Sequence, residues 1–287
     1  MALRFRPLAA ESLGVRSMAL RVETPDLAIT IDPGAAIPPL RGGLPAHPVE
    51  INTLARRWQA ILQSLQTSQA AVITHYHYDH LNPDQPWYYR GLQVFLKDPD
   101  HATNRTQRRR GRHFWEWLRP YARHLAVADG RRVRFGNTEV LFSEPVRHGP
   151  GERLGRVVQV AVIHGGDRLV FTSDVQGPCL EEHLDFVREV RPTALYIDGP
   201  PTYLDGFPRW ALEATIEHLA WILDTLQPEV VLLDHHSLRR PDWRRFYEKG
   251  LGPLARRLLS AADYLGVPET LYEARRRELF YGSSPEV

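Results

Sequence analysis

The stretch that decides the fold is "AVITHYHYDHLN", residues 71–82. It begins with a short apolar run, which predicts a buried strand. His75 and His77 follow the run directly, and Asp79 and His80 come where the chain is expected to turn. On extended backbone alternate side chains point the same way, so His75 and His77 can bind one ion together. Imidazole and carboxylate groups suit Zn²⁺ and neighbouring first-row ions, so this crowding predicts a metal site.

The composition is that of a soluble globular protein with a sizeable core. Of the 287 residues, 43% are hydrophobic and 24% are charged, which is ordinary for such proteins. We expect a single domain over residues 1–287, with a mostly helical C-terminal extension from about residue 241. The formal net charge of +2 does not require a nucleic-acid or membrane partner.

Cysteine and lysine usage bear on the compartment and the source. A single cysteine, Cys179, excludes an internal disulfide and implies no oxidising compartment. No stretch approaches the ~18 apolar residues of a membrane span, so we expect a cytoplasmic protein without a membrane partner. Only Lys97 and Lys249 are lysines among the 36 basic residues. Codon bias is the favoured explanation for this preference for arginine. Adaptation to high temperature is the alternative explanation.

Strand-like and helix-like segments alternate in both halves of the chain. Residues 49–66 carry apolar side chains at helical spacing, whereas "LAITIDPG", "AAVIT" and "LQVFLKD" are typical of short strands. Residues 124–175 are dominated by strands with Gly-Asn and Gly-Gly-Asp turns, and helices alternate with strands after residue 178. This pattern predicts a layered α/β domain with two sheets between helical layers, whose outer helices would also allow homo-oligomers.

Three later strand-like segments also end in side chains that can bind a metal ion. "LFSEPVRHGP" carries His148, "RLVFTSDVQGP" carries Asp174, and "VVLLDHHSLRR" carries His235 and His236. An early strand-like segment, "ITIDPG", ends at Asp32. Each of these side chains follows an apolar run, as the first histidine pair does.

The order of these groups resembles the metallo-β-lactamase superfamily. His75-Tyr-His77-Tyr-Asp79-His80 matches the H-x-H-x-D-H signature of that family, and the later His, Asp and His follow in the family's order. The resemblance covers the chain from about residue 14 to 240. It implies an α/β fold of the metallo-β-lactamase type, a four-layer αββα sandwich with a binuclear site at the sheet edges.

The resemblance also implies a ligand set. The first metal would be bound by His75, His77 and His148. The second metal would be bound by Asp79, His80 and His235. Asp174 would bridge the two metals. His235 is favoured over His236 as the last ligand because it comes first after the apolar strand. Its "HHSLR" segment is also similar to the H-x-S-x-R segment of tRNA 3′-processing endonucleases. His236 would then have a structural or substrate-facing role.

Three neighbours of the ligands are expected to support the site without binding metal. Asp32 is expected to orient a ligand from behind. Tyr76 and Tyr78 alternate with the ligands of the first stretch. They either line the cleft or pack into the core. Their alternation with the ligands places the rings on the opposite face of a strand, which favours packing.

A site of this kind supports hydrolysis. Two divalent metal ions, Zn²⁺ first and Mn²⁺ or Fe as alternatives, would share a water and make a bridging hydroxide available at neutral pH. Asp79 would act both as a ligand and as a catalytic proton carrier. Because fold and ligands do not choose the substrate, a small molecule or a nucleic acid containing a phosphodiester is the first hypothesis. A thioester or lactone hydrolase and an iron-dependent oxidoreductase of the same fold are the alternatives.

Three segments bear on the substrate. The arginine cluster at 105–112, "RTQRRRGR", suits phosphate contacts, although a solvated amphipathic helix is the favoured interpretation. Ser237 and Arg239 fit either a phosphate pocket or a helix cap with a surface arginine. The loop "YIDGPPTYLDG" either brings Asp198 and Tyr203 to the pocket or serves only as a connecting turn.

Overall fold

The structure of the protein, a computed structural model, describes residues 2–282. Its first β-sheet is formed by the first half of the chain and has six strands in sequential order. They are β1 (Arg4–Pro7), β2 (Leu20–Glu23), β3 (Ala28–Ile31), β4 (Ala70–Ile73), β5 (Gln93–Leu96) and β6 (His124–Val127). Strands β1 to β3 are antiparallel, and β3 to β6 are parallel.

The second sheet is formed by the second half of the chain, and its seven strands are again neighbours in sequential order. They are β7 (Arg132–Phe135), β8 (Thr138–Phe142), β9 (Val160–His164), β10 (Asp167–Phe171), β11 (Ala194–Asp198), β12 (Val230–Asp234) and β13 (Leu258–Leu259). Strands β7 to β10 are antiparallel, and β10 to β13 are parallel. Two-residue ladders pair Leu40–Arg41 with Leu44–Pro45 and Val146–Arg147 with Arg156–Val157.

Helices cover the outer faces of both sheets. They are α1 (Pro48–Gln66), α2 (Arg105–Leu118), α3 (Glu181–Val190), α4 (Arg209–Trp221), α5 (Trp243–Leu251), α6 (Ala261–Leu265) and α7 (Arg276–Tyr281). Helices α1 and α2 pack on the first sheet, α3 to α5 pack on the second, and a third apolar cluster lies between the sheets. The predicted αββα sandwich is therefore confirmed. Within residues 2–282, no helix has the length and apolar character needed to cross a membrane.

The strand that precedes the metal motif shows why the central strands are apolar throughout. In β4, Ala70 and Val72 point into the core between the sheets, whereas Ala71 and Ile73 point toward α1 and α2. All four side chains are fully buried. A strand with helices on one face and a second sheet on the other has no solvent side, so its sequence does not alternate between polar and apolar residues.

The carboxyl ends of the parallel strands meet at one end of the sandwich. Strands β3 and β4 end there in the first sheet, and β10, β11 and β12 end there in the second. Asp198 and Asp234 are paired in register at the ends of β11 and β12. Open α/β sheets form their binding crevices at such carboxyl ends, and the polar side chains that follow these strands build the site described below.

The segment after residue 241 is mostly helical, and it also completes the second sheet through β13. Trp243 and Tyr247 of α5 are buried in the core of the second sheet and its helices. At the start of α7, Arg276 is fully buried and donates to the Glu50 carboxylate of α1 at 2.8 Å and to the Pro38 carbonyl at 3.0 Å. A two-residue strand is too short for its periodicity to be detected in a sequence.

We expect Gly34→Ala to destabilise the protein and to displace the metal motif. A Cβ atom at residue 34 would lie 2.1 Å from the Leu81 nitrogen and 2.2 Å from the His80 carbonyl carbon. Because both contacts are with backbone, the motif itself would have to shift, at a cost of at least about 2 kcal/mol. Thermal unfolding measures the loss. Gly206→Ala is the matched control, since its Cβ would meet no atom within 4 Å. Equal melting of the two variants would contradict this close approach.

Candidate metal centre

The seven predicted metal ligands lie in one buried cluster where the two sheets meet. Asp174, which follows β10, is at its centre. Its Oδ2 atom lies 3.5 Å from His75 Nε2 and 3.3 Å from His148 Nε2. Its Oδ1 atom lies 3.0 Å from His80 Nε2 and 3.2 Å from His235 Nε2. One carboxylate therefore faces two separate sets of histidines, with one oxygen for each set.

The remaining ligands complete two donor sets. His77 Nδ1 lies 3.1 Å from His75 Nε2 and 3.2 Å from His148 Nε2, so it belongs to the first set. Asp79 Oδ2 lies 3.7 Å from His235 Nε2 and belongs to the second set. The potential ligand atoms of the first set, including Asp174, lie within 4.8 Å of one another, as do those of Asp79, His80 and His235 in the second.

The chemistry of the donor sets fits divalent metal ions. His80 Nε2 and Asp174 Oδ1 are buried and lie 3.0 Å apart, but their orientation does not make a hydrogen bond, and such atoms cost free energy unless another group satisfies them. In both sets imidazole nitrogens converge on a common point beside a carboxylate. A divalent cation at each point would satisfy these lone pairs, and nitrogen and oxygen donors suit Zn²⁺ and its neighbours.

Asp32 supports the second donor set from behind, in the position predicted for it. Its Oδ2 atom lies 2.8 Å from His80 Nδ1, which directs His80 Nε2 toward the cluster. The same carboxylate accepts hydrogen bonds from the Thr74 amide at 2.8 Å and the Thr74 hydroxyl at 2.6 Å. Such carboxylate–histidine contacts orient a metal ligand and select its tautomer.

Glu11 has the corresponding role for His235, and no local sequence pattern predicts it. Its Oε2 atom lies 2.8 Å from His235 Nδ1, and its Oε1 atom accepts from Arg239 Nε at 2.5 Å. Glu11 is buried and lies 224 residues from His235 in the chain. It stands in "AAESLG", where only its position among small and apolar residues hints at burial.

His235 and His236 occupy different environments. His235 Nε2 faces Asp79 and Asp174, whereas His236 Nδ1 lies 2.9 Å from an oxygen of Asp198. Of the two histidines, His235 is therefore the one that faces the second donor set. Asp198 is fully buried beneath the ring of His236 and does not face the cavity. Its candidate role as a substrate contact is thus replaced by a role in holding His236.

Ser237 and Arg239 also differ from each other in position. Ser237 is fully buried, donates to the Pro200 carbonyl at 2.9 Å and lies 2.6 Å from the Tyr247 hydroxyl. Of its two candidate roles, the contact with a phosphate does not fit, because its hydroxyl is already bonded within the core. The Arg239 guanidinium lies 3.7 Å from Asp79 Oδ2 and lines the cavity over the cluster.

Four residues that follow three of the strands have left-handed backbone close to the cluster. The angle φ is 46° at Asp32, 59° at Ser173, 51° at Gln176 and 67° at His235. Because none of these residues is glycine, each conformation costs about 1–3 kcal/mol, which the surrounding contacts must offset. Strain of this kind concentrates at functional sites, and here it turns the chain sharply beside Asp174.

The two donor sets differ in their affinity for protons. Burial lowers the pKa of His75 and of His77 to about 3, so both rings are neutral at pH 7. Burial acts in the same direction on His80, but the negative charge of Asp174 outweighs it and raises the pKa of His80 to about 10. The same competition raises the pKa of His235 well above its usual range.

A cavity of about 570 Å³ opens onto the cluster, and Tyr78 forms part of its wall. The prediction that Tyr76 and Tyr78 both pack into the core is right for Tyr76, which is buried and donates to the Lys97 carbonyl. It is wrong for Tyr78, which is 46% exposed. The strand ends at Ile73, so the alternation of faces does not extend to residue 78. Tyr203 also lines the cavity.

The predicted arginine cluster lies on α2, and one of its members reaches the cavity. Arg110 lines the cavity together with His77 and Asp79. The other arginines of the cluster are exposed to solvent: Arg105, Arg108, Arg109 and Arg112. The solvated-helix interpretation therefore describes most of the cluster, and the phosphate-contact interpretation concerns Arg110 alone.

Comparison with known proteins identifies the family. No protein-family model matches the chain. A UPF0282 protein of Korarchaeum cryptofilum is 39% identical over 284 residues, and the match covers 97% of this chain and 94% of that protein. The chain belongs to the UPF0282 family.

Solved structures show the fold that this UPF0282 chain shares with other proteins. A possible metal-dependent hydrolase from Veillonella parvula has a TM-score of 0.56 at 12% identity, covering 90% of this chain and 95% of that one. The metallo-β-lactamase fold protein YhfI from Bacillus subtilis has a TM-score of 0.51 at 11% identity, covering 87% and 93%. The UPF0282 chain therefore has the metallo-β-lactamase fold.

We expect Glu11→Gln to weaken the second metal site of the UPF0282 chain. The amide cannot accept from both His235 Nδ1 and Arg239 Nε, so His235 loses its orientation and zinc affinity at that site falls about 10- to 100-fold. Zinc titration against a chelator measures both sites. Glu217→Gln, at an exposed position of α4, is the control. Two unchanged zinc affinities in Glu11→Gln would show that Glu11 does not position His235.

The proton affinities predict which ion is lost first in acid. At pH 7 the metal-free protein holds protons on His80 and His235, whose pKa values are raised, and an incoming ion must displace them. Affinity at the second site should therefore increase with pH, by up to about tenfold per unit for each proton released. His75 and His77 are already neutral. Zinc content measured between pH 5.5 and 8 should fall from two ions to one as the pH decreases, and simultaneous loss of both ions would contradict this.

Proposed function

We propose that the protein is a metal-dependent hydrolase with two divalent ions, most readily Zn²⁺, whose substrate is a phosphodiester. The observation that carries the proposal is the Asp174 carboxylate, which directs one oxygen to each of two histidine sets. His75, His77 and His148 would hold one ion, and Asp79, His80 and His235 the other. When bound, two such ions polarise the substrate and lower the pKa of water toward about 7, which supports hydrolysis at neutral pH.

Asp79 is suited to orient a water molecule beside the cluster. Burial opposes its charge, but the neighbouring His80 and His235 hold its pKa well below the usual range, so it stays ionised at neutral pH. Its side chain is 17% exposed, in contrast to those of His235 and Arg239, which are 0% and 5% exposed. The ionised and partly exposed carboxylate can therefore accept a hydrogen bond from a water molecule in the cavity and orient it, while its low pKa makes it a weak proton acceptor.

Arg239 is suited to stabilise negative charge on the substrate. Glu11 holds its Nε atom, and Arg239 Nη1 lies 3.4 Å from the Tyr203 hydroxyl at the cavity wall. A donor held in place before the reaction stabilises developing charge without reorganisation. Bidentate contacts of guanidinium groups with phosphate oxygens support a phosphodiester over a neutral thioester or lactone.

His236 is suited to contact the leaving group. Its Nδ1 atom is held by Asp198, and its amide donates to the same carboxylate at 3.1 Å. These bonds fix the ring, which lines the cavity, and they leave Nε2 as the free ring nitrogen. That nitrogen can exchange a proton or a hydrogen bond with the departing oxygen.

Metal analysis and a small substrate panel test the proposal. Protein purified without a chelator should contain about two transition-metal ions per chain and should hydrolyse bis-p-nitrophenyl phosphate with Zn²⁺ or Mn²⁺. We expect Asp174→Asn to lower kcat at least about 100-fold, because it removes the charge that both ions share. Asp185→Asn, at an exposed position of α3, should leave kcat unchanged.

The same panel separates the alternatives. Hydrolysis of nitrocefin or of a thioester without phosphodiester cleavage would overturn the substrate class while keeping the hydrolase. Cleavage of single-stranded nucleic acid at a higher kcat/KM than the small diester would identify a polymeric substrate. Protein that is empty of metal and cannot be reconstituted would overturn the metal-dependent function itself, and bound iron without hydrolysis would favour an oxidoreductase.

A further inference from the structure

Helix α2 is anchored to the metal motif through the backbone of Tyr76. Gln107 Oε1 accepts from the Tyr76 amide at 2.6 Å, and Arg110 Nη1 donates to the Tyr76 carbonyl at 3.3 Å. A Cβ atom at Gly111 would lie 2.4 Å from the Tyr76 ring, so the glycine permits this close packing. Residues 107, 110 and 111 share one face of the helix. Arg110 is therefore held in a defined position beside His77.

The Arg110 guanidinium is also held by Tyr78 at the cavity wall. Its central carbon lies 4.1 Å from the centre of the Tyr78 ring, a distance at which a cation is attracted to the face of an aromatic ring. The Nε atom of Arg110 is buried and has no hydrogen-bond partner. One side of the guanidinium thus packs on an aromatic ring, while a donor remains unused.

Arg110 differs from the other arginines of the cavity in its lack of a counter-charge. Arg16 forms two hydrogen bonds of 2.6 Å with the Glu273 carboxylate, and Arg239 is paired with Glu11. In the described residues 2–282, no carboxylate oxygen lies within 4.0 Å of an Arg110 nitrogen. A partly buried cation without a partner favours an incoming anion, and charge-assisted hydrogen bonds to guanidinium are among the stronger ones.

We propose that Arg110 determines specificity by binding an anionic group of the substrate, a carboxylate or a phosphate, that lies away from the bond to be cleaved. The proposal rests on the proposed function, since it concerns the same cavity. It restricts the substrate to molecules with at least two polar ends, one of which reaches the metal cluster while the other reaches Arg110. The exposed arginines of α2 have no part in this contact.

Binding of simple acids to the zinc-loaded full-length protein tests the proposal without requiring turnover. Valerate and glutarate have equal carbon counts but one and two carboxylates, and 4-phosphonobutyrate replaces one carboxylate by a phosphonate. We expect isothermal titration calorimetry to show at least about tenfold tighter binding of a doubly charged acid than of valerate, equivalent to about 1.4 kcal/mol. The preferred acid distinguishes a carboxylate from a phosphate-like group. Equal binding of all three acids by the wild type would overturn the proposal.

Three variants assign the preference to Arg110. Arg110→Met should abolish the preference and leave valerate binding unchanged, and Arg110→Lys should retain part of it, because the charge remains while the planar fork is lost. Arg109→Met removes the same charge from the exposed neighbouring position and should bind like the wild type. An equal loss in Arg109→Met would overturn the contact in favour of long-range attraction. Zinc content and thermal unfolding verify that each variant is folded.

The binding experiment with the acids and the hydrolysis experiment with the substrate panel test the two proposals separately. A wild-type preference that Arg110→Met removes would support the specificity role even in a protein that hydrolyses none of the panel. Hydrolysis of bis-p-nitrophenyl phosphate without any preference among the acids would support the proposed function and overturn this inference alone.

Discussion

The Asp174 carboxylate is the interaction on which the site depends, because it is shared by two histidine sets from different parts of the chain. Asp174 follows a strand of the second sheet, whereas His75, His77 and His80 follow a strand of the first. The two sheets must therefore be held at a fixed separation. Apolar side chains between them provide that spacing, and since such interiors are closely packed they resist sliding. The hydrophobic core thus sets the distances among the ligands.

Around this carboxylate, three histidines are each held by the carboxylate of another residue. Asp32 contacts His80, Glu11 contacts His235, and Asp198 contacts His236, in each case at Nδ1. In each pair the histidine Nε2 atom points away from the carboxylate that contacts Nδ1. In His80 and His235 the Nε2 atom therefore points toward the cluster. Buried charges are costly unless they are paired, so the pairs also balance the charge of the region. They offset the strain of the left-handed backbone at Asp32 and His235.

The cavity adds a second pattern of charge to that of the ligands. Carboxylates lie at its base, and arginines lie on its walls. Glutamates neutralise two of these arginines, Arg16 and Arg239. The local electrostatic field therefore depends mainly on Arg110, which is not neutralised in this way. Because a fold by itself does not specify a substrate, the residues of the cavity wall carry the information about the substrate.

The sequence by itself determined the class of fold and which histidine and aspartate side chains end its strands, because apolar runs that end in such residues are local patterns. It also determined that β4 is buried on both faces. Tertiary structure alone decided the roles of Glu11, Ser237, Tyr78 and Arg110. Glu11 reaches His235 across 224 residues, the hydroxyl of Ser237 is used inside the core, and the strand ends too early to bury Tyr78. Among five arginines of one helix, only docking against Tyr76 selects Arg110 for the cavity. Contacts of this kind depend on how elements distant in the chain pack together, and local periodicity carries no record of that packing.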